Sequence, residues 1–267
     1  MEKKMGKKMG LGDRMKTYYE DRTKVFLNRK TITIIRLDGN GFSKLTKNLD
    51  KPFDDGFSQD MDATALFLCE KLQGAKFAYT QSDEISIVLT DFDSQDTDAW
   101  YDYNVQKMTS IAASMATARF NQLRVLRMLN EADTPNSSYL IDNDYKLAFF
   151  DARVFQVPNV DEMFNAILWR QQDCTRNSIS MAASANFPHK QIEGKSGSDK
   201  QEMLFKEKGI NWNNYAIKYK RGIIIKKESV YVDGPNGGGL RNIWLPDYET
   251  PILTENKEYI YNLIPIL

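Results

Sequence analysis

Two short stretches constrain this chain more than any other feature. The first, Ile34-Ile35-Arg36-Leu37-Asp38-Gly39-Asn40-Gly41-Phe42, is a β-branched apolar run that ends at a carboxylate and enters a Gly-x-Gly turn. The second, Ala78-Tyr79-Thr80-Gln81-Ser82-Asp83-Glu84-Ile85-Ser86-Ile87-Val88-Leu89, puts a Ser-Asp-Glu tip between two strand-like runs. If both lie in one sheet, Asp38 and Asp83 converge at one of its edges. Two carboxylates beside a glycine-rich turn suit a divalent metal and a nucleoside triphosphate.

The surrounding pattern gives the strands a reason to meet. A helix is expected from Asp13, and residues 31–37 read as a strand buried on both faces. Phe53, Phe57, Met61, Ala65, Leu68 and Leu72 recur at helical spacing, and Gly74 ends that helix. Residues 76–80 and 85–89 form a hairpin. A long helix rich in small residues runs from Trp100 past Phe120, residues 130–146 are a polar loop, and residues 147–157 are a fourth strand. This order is α+β: a palm-like, ferredoxin-like βαββαβ antiparallel sheet with helices on one face. Residues 1–12 are expected to fray, residues 13–157 to form the palm-like catalytic core, and residues 158–267 to add a mainly helical region that packs on it. In that second part, residues 161–169 and 172–187 read as helices and residues 190–208 as helical pieces broken at Gly194 and Gly197. Residues 221–233 read as β-rich, Pro235 to Gly239 as a turn, and the apolar tail from Ile252 to Ile264 as docked.

Composition excludes several classes. Cys69 and Cys174 are too few for a disulfide framework, and His189 alone cannot build a multi-histidine zinc site. Cys69 falls on the apolar helical stripe and reads as core, and His189 reads as a bystander. No run of about 18 apolar residues spans a membrane, and the charged N-terminus is no secretory signal. A reducing cytoplasm is the expected setting. Lys+Arg and Asp+Glu balance at 36 each, yet residues 1–30 and 190–227 each hold ten basic against four acidic residues. Either segment could track a phosphate backbone, or simply be a solvated face.

Phosphoryl and nucleotidyl transfer need metal, charge and positioning more than covalent help. Asp38 and Asp83 are the natural ligands of two magnesium ions, with the Gly39 carbonyl as a third oxygen. Alternation turns Glu84 away from Asp83, although a hairpin tip relaxes that rule. The amides of Asn40, Gly41 and Phe42 form a possible anion nest, and Lys51 and Lys107 could add positive charge. The bland readings are a plain turn after a strand and a solvated hairpin tip.

Several motifs in order resemble the tRNA-histidine guanylyltransferase superfamily, including its Thg1-like reverse polymerases. They are Arg36 to Phe42, Lys51-Pro52 with Asp54, Tyr79 to Glu84, Phe150-Asp151-Ala152-Arg153, Trp169-Arg170-Gln171-Gln172-Asp173-Cys174, Asp199 to Leu204 and Lys220-Arg221-Gly222. The resemblance implies a nucleotidyltransferase with two magnesium ions, usually a homotetramer, that adds nucleotides to a tRNA 5′ end after activating it with ATP or GTP. It implies metal ligation by Asp38, Gly39 and Asp83, with Glu84 as the third acidic residue. It implies nucleotide contacts for Asn40, Gly41, Phe42, Lys51, Asp54, Ser82 and Lys107, and tRNA contacts for Arg153, Lys200 and Arg221. Where eukaryotic guanylyltransferases read His-Ile-Asn-Asn-Leu-Tyr, this chain reads Thr175-Arg176-Asn177-Ser178-Ile179-Ser180. Family basic or histidine positions appear as Ser43 and Asn104. These departures favour the branch that resembles a template-dependent 3′–5′ polymerase repairing truncated tRNAs. The alternatives are non-templated guanylate addition to histidine tRNA, a cyclase-like palm enzyme on free nucleotides, and a non-catalytic RNA-binding relic.

Overall fold

Residues 9–131, 146–233 and 237–265 are described by a computed structural model. The loop read at 130–146 falls largely outside the described residues, as do the first two residues of the turn read from Pro235 and the first eight residues of the N-terminal segment. Strand β1 (Ile32–Gly39) is buried through its first four residues, as its β-branched run requires. Helix α3 (Asp55–Lys71) starts where Asp54 accepts a hydrogen bond from the Phe57 amide at 2.7 Å. It buries Met61, Ala65 and Leu68. Gly74, at φ 82°, then turns the chain so close to Thr90 that a Cβ would stand 2.5 Å from its carbonyl oxygen.

Strands β2 (Ala75–Gln81) and β3 (Glu84–Leu89) pair with Gln81 opposite Glu84, so Ser82 and Asp83 are the whole turn. Ser82 takes φ 49° there. Helix α4 (Val105–Glu131) lays fully buried Ala112 and Ala116 against the sheet, and β4 (Phe150–Val157) returns alongside β1. The α+β palm order is therefore present.

The chain continues the same sheet beyond residue 157. Strand β5 (Ile223–Val232) pairs with β2, and β6 (Gly239–Asp247) pairs with β5, giving an antiparallel order β4-β1-β3-β2-β5-β6 among the described residues. Strand β6 is not legible in the sequence: its first four residues are exposed, so no alternation marks it. Helices α3 and α4 cover one face over Ile35, Leu37, Ile85, Ile87 and Ile225. The other face, with Ile32, Ile34, Phe77, Tyr79, Val88 and Ile224, is covered by helix α5 (Val160–Asn186) and by Leu253, Ile260 and Ile264 of the docked tail.

Helix α5 is one continuous element where the sequence suggests two. Nothing in Arg170-Gln171 breaks it, and Gln171 bonds the tail at the Pro251 carbonyl and the Leu253 amide. Helix α7 (Gly197–Lys208) begins at Gly197 rather than breaking there, because Ser196 and Asp199 form a capping box. It packs on α5 through Leu204, Ala182 and Ala183. The remaining short helices are α1 (Leu11–Tyr18), α2 (Phe42–Leu45), α6 (His189–Ile192), α8 (Ile217–Arg221) and α9 (Glu258–Tyr261). Cys69 is buried in the core, and His189 is exposed.

Candidate active site

The sheet brings the two opening stretches together. The Gly39 amide donates to the Asp83 carbonyl at 3.0 Å, which fixes the end of β1 against the hairpin tip. Burial raises the Asp83 carboxyl above the ordinary aspartate range, and the nearby charge of Asp38 raises it further. Two partly buried carboxylates this close are a fitting cradle for a hard divalent cation. Among the described residues no third His, Cys, Asp or Glu side chain completes a cluster with them. Such a cation would draw its other oxygens from backbone, water or phosphate, as magnesium commonly does.

Glu84 is opposite Asp38 in the register and so shares its face of the sheet. Its carboxylate is nevertheless taken: Arg170 Nε donates to buried Glu84 Oε1 at 2.5 Å. Arg170 also donates to Asp173 at 2.9 Å. The third acidic residue of the motif is thus part of an ion-pair chain running from β3 to α5.

Asp83 separates two hollows. On one side is a cavity of about 300 Å³ whose lining includes Phe42, Phe57, Met61, Tyr219, Lys51 and Asp54. On the other is a charged cleft lined by Arg36, Asp38, Glu84, Trp169, Arg170 and Asp173. Ser82, Asp83 and Asn177 border both. The first hollow is aromatic and large enough for one base and sugar. In the second, Trp169 is 52 % exposed, with the Arg36 and Arg170 guanidiniums 5.7 and 4.5 Å from its ring centre.

Several expected roles change. Packing alone requires glycine at residue 39, because a Cβ there would lie 2.6 Å from the Phe42 ring. The Asn40 amide is already bonded to the Phe149 carbonyl at 2.8 Å, so it is removed from the anion nest. Gly41 takes φ 70° and leads into α2, whose first residue Phe42 is buried against Phe57, Phe120 and Phe150. Asp54 caps α3, and the Lys51 ammonium folds back to the Thr46 carbonyl at 2.9 Å. Lys107 does not reach the site within this chain. It lies near the start of α4, where Val105 bonds Val25, whereas Thr117 and Asn121 further along that helix bond Phe150 and Ala148 beside Gly39. Ten residues of helix separate the two ends by about 15 Å. Asn104 is buried and accepts from the Lys107 amide.

Arg153 is exposed on β4 and opposite Arg36 in the register, so it borders the charged cleft's face. Lys200 donates to Ser180 on α5, and the Arg221 carbonyl accepts from Tyr79. Much of the basic 190–227 segment is committed internally: Lys206 to Glu202, Lys218 to Asp55, Lys226 to Asp247, and buried Lys220 to the Asn213 carbonyl. Arg36, Trp169, Arg170 and Asp173 line the site without being expected there. Only their place in two quoted motifs could have flagged them, because α5 brings most of them in from far along the chain.

The chain resembles several known proteins. It is 32% identical over 232 residues to the uncharacterized protein R259 of Acanthamoeba polyphaga mimivirus, covering 84% of this chain and 79% of the relative. A bacterial tRNA(His) guanylyltransferase (Thg1)-like protein solved in complex with ATP is 39% identical and superposes with a TM-score of 0.82, over 96% of this chain and 99% of that one. A bacterial protein of the same description in complex with GTP is 38% identical, with a TM-score of 0.76 over 94% and 97%. The profile of the tRNAHis guanylyltransferase family matches residues 12–158, which hold the palm strands β1 to β4 and both carboxylates. With fold, carboxylate pair and family profile in agreement, the chain belongs to the tRNAHis guanylyltransferase family and is a nucleotidyltransferase.

Proposed function

We propose that this protein adds nucleotides in the 3′–5′ direction to the 5′ end of tRNA or a tRNA-like RNA, under the direction of a template strand and with magnesium. The observation that carries the reading is the position of Asp83 between an aromatic cavity of one-nucleotide size and a cleft lined by arginines and an exposed tryptophan. A triphosphate in the cavity and an RNA end in the cleft would meet over Asp38 and Asp83. Asp38 and Asp83 would hold the magnesium, which when bound would supply charge neutralisation on the phosphates and lower the pKa of the attacking hydroxyl. The chain's own residues do the rest. The cavity orients the base so that the incoming nucleotide's 3′-hydroxyl faces an activated 5′ phosphate. Trp169 offers a stacking surface for a terminal base, and Arg36 and Arg153 offer phosphate contacts. Relatives solved with ATP and with GTP support the nucleotide part of this reading.

Template direction is favoured over addition of a single guanylate by residues 175–180. Asn177 borders both hollows and Thr175 bonds the Lys220 carbonyl, so the altered stretch lies at the site itself. A homotetramer in the cytoplasm is part of the proposal. Helix α1 buries no residue and exposes Leu11, Met15 and Tyr18, which suits association between copies. The test is a 5′-truncated tRNA supplied with all four nucleotides while the base opposite the gap is varied. Addition that follows the opposing base supports templated repair, and addition of G alone supports guanylate transfer to histidine tRNA.

A further inference from the structure

Within the cavity beside Asp83, one lining carboxylate keeps an oxygen without a partner. Asp62 lies on α3, is 8 % exposed, and lines the cavity. Its Oδ2 is fully buried and has no hydrogen-bond partner. Asp54, the carboxylate that precedes that helix, is occupied by its cap. The groups facing Asp62 do not outweigh its burial, although the Lys218 charge favours its ionised form. Lys218 of α8 has its ammonium on Asp55 at 2.7 Å, and the Tyr219 hydroxyl is also bonded to Asp55. Tyr248, after β6, hydrogen-bonds the Asp62 carboxyl group, and Oδ2 is still left without a partner. A buried carboxylate oxygen left unsatisfied is costly unless something that enters the cavity satisfies it.

We propose that Asp62 reads the base edge of the purine nucleotide, taking guanine as a carboxylate and adenine as a carboxylic acid. The inference rests on the reading that this cavity receives a nucleoside triphosphate. An ionised carboxylate only accepts hydrogen bonds, and guanine presents two adjacent donors, N1–H and the N2 amino group. A protonated carboxyl both donates and accepts, matching N1 and the N6 amino group of adenine. One residue thus serves both purines by changing where one proton sits. Burial raises the Asp62 carboxyl to about 7, so both forms are populated near neutrality.

The experiment is calorimetric titration of the full chain with GTP and with ATP, in magnesium buffer without RNA, at about pH 6 and about pH 8. For the wild type, preference for GTP over ATP should rise by about tenfold or more across that interval, because the ionised fraction itself rises about tenfold around a pKa near 7. The Asp62→Asn variant offers a fixed donor and acceptor, so it should keep ATP, lose GTP, and show no pH slope in the ratio. The Asp62→Leu variant removes the polar group, lowers both affinities, and should also show no slope. A slope that survives in either variant, or equal loss of both nucleotides in a folded Asp62→Asn, overturns the inference. Failure of the wild type to bind either nucleotide overturns the cavity reading beneath it.

Discussion

Arg170 and Glu84 meet at 2.5 Å where helix α5 crosses strand β3, with Glu84 buried and Arg170 largely covered. Glu84 stands opposite Asp38 in the sheet, so this pair holds α5 directly over the carboxylate edge. Removing Arg170 leaves a buried charge without its partner, a change that typically costs about 3–5 kcal/mol. Arg170→Ala should therefore lower the denaturant midpoint strongly. The Glu84→Gln/Arg170→Met double variant should recover part of the loss. Equal stability of Arg170→Ala and wild type would show that the pair does not anchor α5.

Asp83 holds its proton more tightly than an exposed aspartate, through burial and the charge of Asp38. Protons and a divalent cation compete for the same oxygens. As pH falls, Asp83 is protonated sooner than an ordinary aspartate, so the magnesium concentration for half-maximal activity should rise. The check is a magnesium titration of nucleotide addition at several pH values. A half-maximal concentration that stays flat across the acid side would contradict this assignment.

Gly39 faces the Phe42 ring, where a Cβ would stand at 2.6 Å. Gly39→Ala should push that ring into the cavity wall it forms, at a cost of about 1–3 kcal/mol. The apparent affinity for nucleotide should fall with stability. Unchanged nucleotide affinity would mean that Phe42 does not shape the cavity.

The reach of the sequence follows from which signals are local. The β-branched run of β1, the helical spacing of Phe57, Met61, Ala65 and Leu68, and the two-residue turn at Ser82 are set by neighbours in the chain. They position Asp38 and Asp83 without knowledge of the rest. Strand β6 carries no alternation because its outer half faces solvent. The walls made by Arg36, Trp169, Arg170 and Asn177 depend on α5 crossing a sheet built from residues far earlier. Motif alone puts Lys107 at the site, and the length of α4 carries it to the other end.

Asp62 also makes a prediction about stability. Its carboxyl is raised by burial to about 7 in the folded chain, so the folded state keeps a proton that the unfolded state has lost. Stability is then lost as pH rises from the ordinary aspartate range toward 7. Asp62→Asn should match wild type at about pH 4 and exceed it by a few kcal/mol at about pH 8, since each tenfold difference in proton affinity between the two states is worth about 1.4 kcal/mol. Denaturant unfolding at the two pH values measures this, and an equal gap at both would contradict it.

The carboxylate pair itself is tested most directly by incorporation of labelled nucleotide into a 5′-truncated tRNA by wild type, Asp38→Asn and Asp83→Asn in magnesium. The wild type should add nucleotides that follow the opposing base. Each variant should be slower by about 10²–10³-fold, the scale of losing one preorganised electrostatic group. Magnesium-dependent addition at near wild-type rate by either variant would contradict the placement of the reaction over Asp38 and Asp83.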